Sequence, residues 1–223
     1  MKLSTKSLLY TAYIIAITGI FLYYLFPSDT LKRYLEYWLS EGNPDIAVSI
    51  DRVGPAFPPG IKLHEVGIAH LNESLIDLEN LKLMPAILSL FGDTTTVNFK
   101  GRVNAGTVSG RAQLNDTSGT QGVKLDGTIS GVQVQGIPAL KRIPADKISG
   151  VLNGGFSYAN AGPDRSLSGA LNLAQCRIEL KDPLFSLKSL EFKGIDADLE
   201  LRNEILNIKS SSARGNQLDE VGS

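Results

Sequence analysis

The side chains whose type and spacing could do chemistry are few. Asp196 and Asp198 lie two apart in GIDADLEL. On a strand, residues i and i+2 share a face, so both carboxylates project the same way and could hold a cation. Alternating charge on a wet strand face gives the same pattern with no ligand, and is its ordinary cause. His64 and His70 are the only histidines. They sit six apart with no cysteine or carboxylate array at metal spacing, which reads as structural or surface histidine. Cys176 is the single cysteine. It has no internal disulfide partner and reads as a small buried apolar side chain. The phosphate-loop pattern is missing, and so is the nucleophile elbow: in GTISG the serine comes one place too late. Asn72-Glu73-Ser74 and Asn115-Asp116-Thr117 match the glycosylation sequon, which matters only on a eukaryotic secretory route. No catalytic residue, cofactor motif or metal set follows, so the sequence predicts a protein that is not an enzyme.

The totals narrow the partners. Lys and Arg number 22 against 23 Asp and Glu, for a net charge of −1. That balance, with no long basic run, gives no electrostatic case for nucleic acid. Glycine is 22 of 223 residues and aromatics are 7%. Many glycines with few aromatics fit a sheet-rich chain with tight turns.

Residues 8–26, LLYTAYIIAITGIFLYYLF, carry no charge. At ~1.5 Å per residue they make a helix of ~28 Å, close to the ~30 Å hydrocarbon core of a bilayer. Lys2 and Lys6 precede the run, which places residues 1–7 in the cytoplasm. A cleavable signal peptide has a shorter apolar region ending in small residues; this run ends in Tyr23, Tyr24, Leu25 and Phe26. An uncleaved single-pass anchor is therefore expected, with residues 27–223 as one extramembrane domain.

A helix over residues 28–40 is expected to follow, capped by Ser28 or Asp29 and stopped at Gly42-Asn43-Pro44. Leu31, Tyr34, Leu35, Trp38 and Leu39 form one apolar stripe at i, i+3, i+4, i+7 and i+8. The stripe suits either the membrane surface or the first edge of the sheet that follows. From Ile46 the period becomes two. IAVSIDRV reads as a strand broken by PAFPPG, and two more strands meet near Asn72. MPAILSLFG reads as a short helix with Pro85 in its first turn, plugging one end of the sheet. GIPALKRIPA reads as a second Pro-bounded turn or short helix.

Between these lie strands with one dry and one wet face. TVNFKGRVNA alternates through Ala105, and LNIKSSSARGNQ loses its alternation after Ile208. The candidate dry-face residues are Val97, Phe99, Leu125, Ile129, Ile148, Leu152, Phe156 and Leu171. The triplets Val108-Ser109-Gly110, Ile129-Ser130-Gly131, Ile148-Ser149-Gly150 and Leu167-Ser168-Gly169 recur at spacings of 21, 19 and 19, a hairpin-like repeat. Phase slips at Gly131–Val132 and Gln175–Cys176 predict β-bulges. The expected fold is mainly β: one transmembrane helix, then a curved, mostly antiparallel sheet over residues 46–223 with two or three short helices. Its dry face is either a closed core or an open groove.

The order of span, amphipathic helix LKRYLEYWL, strand pair IKLHEVGIAHLN and LIDLENLKLMP, short helix PAILSLFG and Gly-rich strands VNFKGRVNAGTVSGRAQL resembles the type II secretion system protein N family of delta-proteobacteria and spirochaetes. More distantly the chain resembles AsmA-like proteins, which form long β-sheet grooves between bacterial membranes. The first resemblance implies an inner-membrane protein with a periplasmic β domain, serving protein export through contacts with other secretion-system subunits. The second implies a lipid-binding or lipid-transfer protein whose partner is phospholipid. Neither carries a functional residue over to this chain.

Overall fold

The computed structural model describes residues 5–41, 45–57, 59–71, 73–117, 120–142, 147–161, 164–184, 187–202 and 205–215. Helix α1 runs Thr5–Tyr24 and α2 runs Ser28–Glu41. Ten strands follow: β1 Ile46–Ala56, β2 Gly60–His70, β3 Glu73–Pro85, β4 Thr94–Val103, β5 Gly106–Thr117, β6 Thr120–Gln133, β7 Lys147–Ala161, β8 Asp164–Leu184, β9 Leu187–Arg202 and β10 Ile205–Gly215. They form a single sheet in the order β1 to β10, every pair antiparallel. β1 and β10 do not pair, so the sheet is an open meander. Among the described residues, which leave out the side chains of Leu8, Ile15 and Leu22, no helix is long and apolar enough to cross a membrane.

The two edges differ. The outer edge of β1 would expose unpaired backbone groups, and α2 covers it. Ile50 N–H donates to Glu36 Oε1 at 2.8 Å, and Val48 N–H donates to Ser40 Oγ at 3.4 Å. Lys32 Nζ donates to the Asp51 carbonyl at 3.1 Å. Lys32, Glu36 and Ser40 are spaced i, i+4, i+8, so one helix face supplies all three. Leu31 and Leu35 lie beside that face and pack, with Phe26, on the buried cluster Ile50, Val53, Leu63 and Val66. Of the two settings open to the predicted stripe, this is the sheet edge. The stripe itself needs correcting. Tyr34 is 61% exposed and Leu39 is exposed, because the helix must turn its polar ladder toward β1. The side chain of Trp38 lies outside the described residues.

Three further expectations change. β1 continues through Pro55, since an edge position asks for no ladder N–H. The segment Ile87–Phe91 is a 3-10 turn and Pro85 ends β3. Ile87 and Leu88 are exposed, and the side chain of Phe91 lies outside the described residues. Ser89 ties the turn to the sheet, its hydroxyl donating to the Ala86 carbonyl at 2.7 Å and accepting from Thr96 N–H at 2.9 Å. Asn104 and Ala105 leave the strand period, both with positive φ, to make the β4–β5 hairpin. β10 runs past the loss of alternation to Gly215, because its hold on β9 is polar, as described below.

Both predicted bulges form. The register shifts between Ile129 and Val132, with Gly131 at φ 66, and Gln175 at φ 52 accompanies the shift between Ser149 and Val151 on β7. Past the first bulge, 3-10 turns at Val134–Gly136 and Pro138–Arg142 fold back over the sheet. The first packs on β7 and the second on β3, so the link between β6 and β7 closes one end of the sheet. Val134 is buried there, as are Val132 and Val103.

No second layer packs on β8, β9 or β10 among the described residues. The accessible surface is 15899 Å², against roughly 10,000 Å² for a compact monomer of 24.0 kDa. Replacing Glu36 by Ala is expected to cost ~1–2 kcal/mol, from a lost hydrogen bond to a charged acceptor. Hydrogen exchange should show the Ile50 amide losing protection while β6 and β7 amides keep theirs.

Candidate functional site

Strand pairing aligns apolar residues and glycines into rows that cross the sheet. One row reads Leu83, Phe99, Gly110, Gly127, Phe156, Gly169, Leu199, Ile208 from β3 to β10. A second reads Leu81, Gly101, Val108, Ile129, Gly154, Leu171, Ala197. A third reads Val97, Ala112, Leu125, Tyr158, Leu167, Leu201, Leu206. Each row holds because alternate residues share a face and every register keeps that face in phase.

The eight residues expected on the dry face all lie on it. Val97 and Leu125 share the third row, Phe99 and Phe156 the first, Ile129 and Leu171 the second. Leu152 pairs with Val132 and Leu173, and Ile148 pairs with Ile178. All eight are half-buried, neither sealed in a core nor fully open. Fully buried side chains gather instead beneath α2 and near the β6–β7 link. Cys176 is buried among the strands as expected, and burial pushes its thiol pKa up, away from reactivity.

The rings of Phe99 and Phe156 carry a detail that alternation could not reveal. Gly110 and Gly127 are paired directly. A side chain on Gly110 would meet the Phe99 ring tip at 2.7 Å, and one on Gly127 would fall on the Phe156 ring. Two aromatic rings from β4 and β7 thus lie over two glycines on the strands between them. The arrangement shields backbone that glycine leaves bare. The sequence signal is a Phe and a Gly in register across a hairpin, which needs the pairing to be seen.

The opposite face is wet and saturated with its own partners. Asp196 accepts from Asn172 Nδ2 at 2.6 Å, Arg214 at 2.7 Å and Ser212 Oγ at 3.5 Å. Asp198 accepts from Ser210 Oγ at 2.5 Å, and Glu200 pairs with Lys209 at 2.8 Å and Arg202 at 2.6 Å. The two aspartates thus bond to β10, and their setting is that of a solvated face. Arg214, then Asn172, hold the Asp196 carboxyl below the usual range; Lys209 does the same for Glu200. A shallow depression of about 860 Å³ lies on this face, with Arg111, Asp126, Ser157, Asp198 and Lys209 in its lining. Asp126 already accepts from Ser157 Oγ at 2.7 Å. His64 pairs across strands with Arg52 and Asn80, and His70 with Ile46 and Glu73, so the two share no site. Asn115 lies on β5, and Asn72 falls outside the described residues.

The arrangement offers chemistry of contact: a long apolar face backed by a polar one. No protein-family model, curated protein or solved structure matches the chain.

Two outcomes follow. Phe156→Ala is expected to destabilise by ~2–3 kcal/mol in urea melts, since a half-buried ring costs less than the ~3–5 kcal/mol of a core phenylalanine. Depressed carboxylates stabilise above their unfolded pKa and cease to do so as pH falls through the folded value. Below about pH 4, β10 amides should therefore lose exchange protection before those of β5 to β7.

Proposed function

We propose that this chain is an inner-membrane-anchored periplasmic protein whose sheet presents its apolar face to acyl chains, the lipid-handling role implied by its likeness to AsmA-like proteins. The observation that carries this reading is the continuation of three apolar rows onto β8 and β9, strands with no second layer on them among the described residues. Apolar surface left in water forgoes roughly 25 cal/mol per Å², so an open face of this extent calls for a cover. Hydrocarbon is a suitable one, because it buries apolar area without hydrogen-bond partners.

The anchor belongs to the same reading. α1 has 20 residues, ~30 Å of helix, and Leu9, Ile14, Ile20 and Phe21 point outward. Phe26 then packs beneath α2, so the start of the sheet sits close to the end of the anchor. A lipid leaving the bilayer would meet the apolar rows at their α2 end.

A second reading rests on a different observation. β10 has no further strand beside it among the described residues, and Ile208 on it is 63% exposed. An open edge with apolar side chains fits strand addition by a partner. That suits an accessory subunit of a type II secretion apparatus, the role implied by the other resemblance.

Photo-crosslinking side chains at Leu152 and Leu171 are expected to capture phospholipid in cells, and one at Ser168 on the wet face to capture none. A folded protein that captures no lipid at either apolar position would overturn the lipid reading. Under the secretion reading, deleting the gene traps exported enzymes in the periplasm; unchanged export counts against it.

A further inference from the structure

Helix α2 uses only part of its surface on the sheet. Lys32, Glu36 and Ser40 turn to β1, and Leu31 and Leu35 to the buried cluster behind it. Thr30, Tyr34 and Tyr37 are spaced i, i+4 and i+7, so they share the remaining side, and all three are exposed. Arg33 beside them is exposed as well, its Nε donating to the Asp29 carbonyl at 3.4 Å. A helix face turned to water is ordinarily built from charged and amide side chains, which also favour the helix more than tyrosine does. Two exposed tyrosines on one such face call for another setting.

The chain itself limits what that setting is. α1 ends at Tyr24 and α2 starts at Ser28. Four Cα steps hold the two helix ends within ~15 Å of each other. The link is folded tighter than that: Ser28 N–H donates to the Phe26 carbonyl at 2.8 Å, and Leu31 N–H to the Pro27 carbonyl at 3.0 Å. On the α1 side of the link Tyr23 and Tyr24 are exposed, as Tyr34 and Tyr37 are on the α2 side. Four exposed tyrosines thus flank the point where an anchored α1 would leave the hydrocarbon. The headgroup layer there is roughly 5–7 Å deep, and tyrosine collects in it because the ring is apolar and the hydroxyl wet.

We propose that α2 lies flat in the headgroup layer of the bilayer that holds α1, with Tyr34 and Tyr37 turned to the lipid and Arg33 toward lipid phosphate. This rests on the anchor of the preceding reading and adds how the sheet is mounted on it. The helix is then clamped between the bilayer and the edge of β1. As α2 advances through Lys32, Glu36 and Ser40, its partners step back along β1 through Asp51, Ile50 and Val48, so helix and strand lie side by side. A flat α2 therefore lays β1 along the membrane surface, about one helix diameter or ~10 Å from it. β10 stands at the opposite edge of the sheet.

The test uses the full chain in phosphatidylethanolamine–phosphatidylglycerol vesicles, with an environment-sensitive fluorophore on single cysteines: Ile20→Cys, Thr30→Cys, Tyr37→Cys or Ser210→Cys. Cys176 is buried, so the folded protein takes the label at the introduced position. Nitroxide lipids, spin-labelled at the headgroup or along the acyl chain, report depth by quenching. Headgroup nitroxide is expected to quench positions 30 and 37 to within about two-fold of each other, because a flat helix keeps both at one depth. The acyl-chain nitroxide should quench position 20, and neither should quench position 210. A helix that rises from the surface carries position 37 ~10 Å farther out than position 30. Quenching at 20 and 30 without quenching at 37 overturns the flat helix, leaves the anchor standing and points to a protein on the tyrosine face. An unquenched label at position 20 overturns both. Tyr34→Asp should lower quenching at position 37 roughly three-fold, since a carboxylate resists the interface that a phenol favours. Its melting temperature should hold, because Tyr34 is exposed. Unchanged quenching in that variant overturns the tyrosine contact. If Tyr34→Asp fails to fold, Tyr34→Ser takes its place, with a smaller loss expected and the same outcome counting against the contact.

Discussion

The antiparallel backbone ladder is the interaction on which this structure depends. With few fully buried side chains, the sheet is held by strand-to-strand hydrogen bonds and the side-chain pairs that ride on them. A ladder of this kind has one strict demand, which is register. A slip of one residue on any strand would turn its dry side chains to water. The bulges at Gly131 and Gln175 are part of that discipline: each restores the phase of the dry face where the sequence breaks strict alternation.

A ladder also has ends, and the protein treats them unequally. α2 brings a lysine, a glutamate and a serine to the bare edge of β1 and sets its leucines on the cluster behind it. Edge satisfaction and core formation happen in one place, so the sheet begins from its most solid part. Toward β9 and β10 the balance shifts from buried hydrocarbon to polar pairs of a half-buried carboxylate with an exposed base, Glu200 with Lys209 and Asp196 with Arg214.

The broad architecture was readable because its signals are local. Period-two alternation marks strands, phase slips mark bulges, and the eight dry-face residues follow from parity alone. What could not be read depends on relations between distant residues. The rotation of α2, which turns Tyr34 outward, follows from hydrogen bonds to β1 that no helical wheel contains. The rings of Phe99 and Phe156 over Gly110 and Gly127 appear only once β4 to β7 are in register. β10 persists past Ile208 because serines and basic residues meet carboxylates on β9, a polar reason for a strand that apolar patterning overlooks.

The order of the strands has a consequence for how such a chain acquires its shape. Each strand touches chiefly the one before and the one after it, so the molecule behaves as a nearly one-dimensional array with nearest-neighbour coupling. Its strands pair only with their neighbours in sequence, which favours stepwise assembly over a search for distant strands. A chain emerging N-terminus first can finish the sealed end while later hairpins are still being made. Each completed strand can then serve as the template for its successor, so that during synthesis the sheet can grow away from α2.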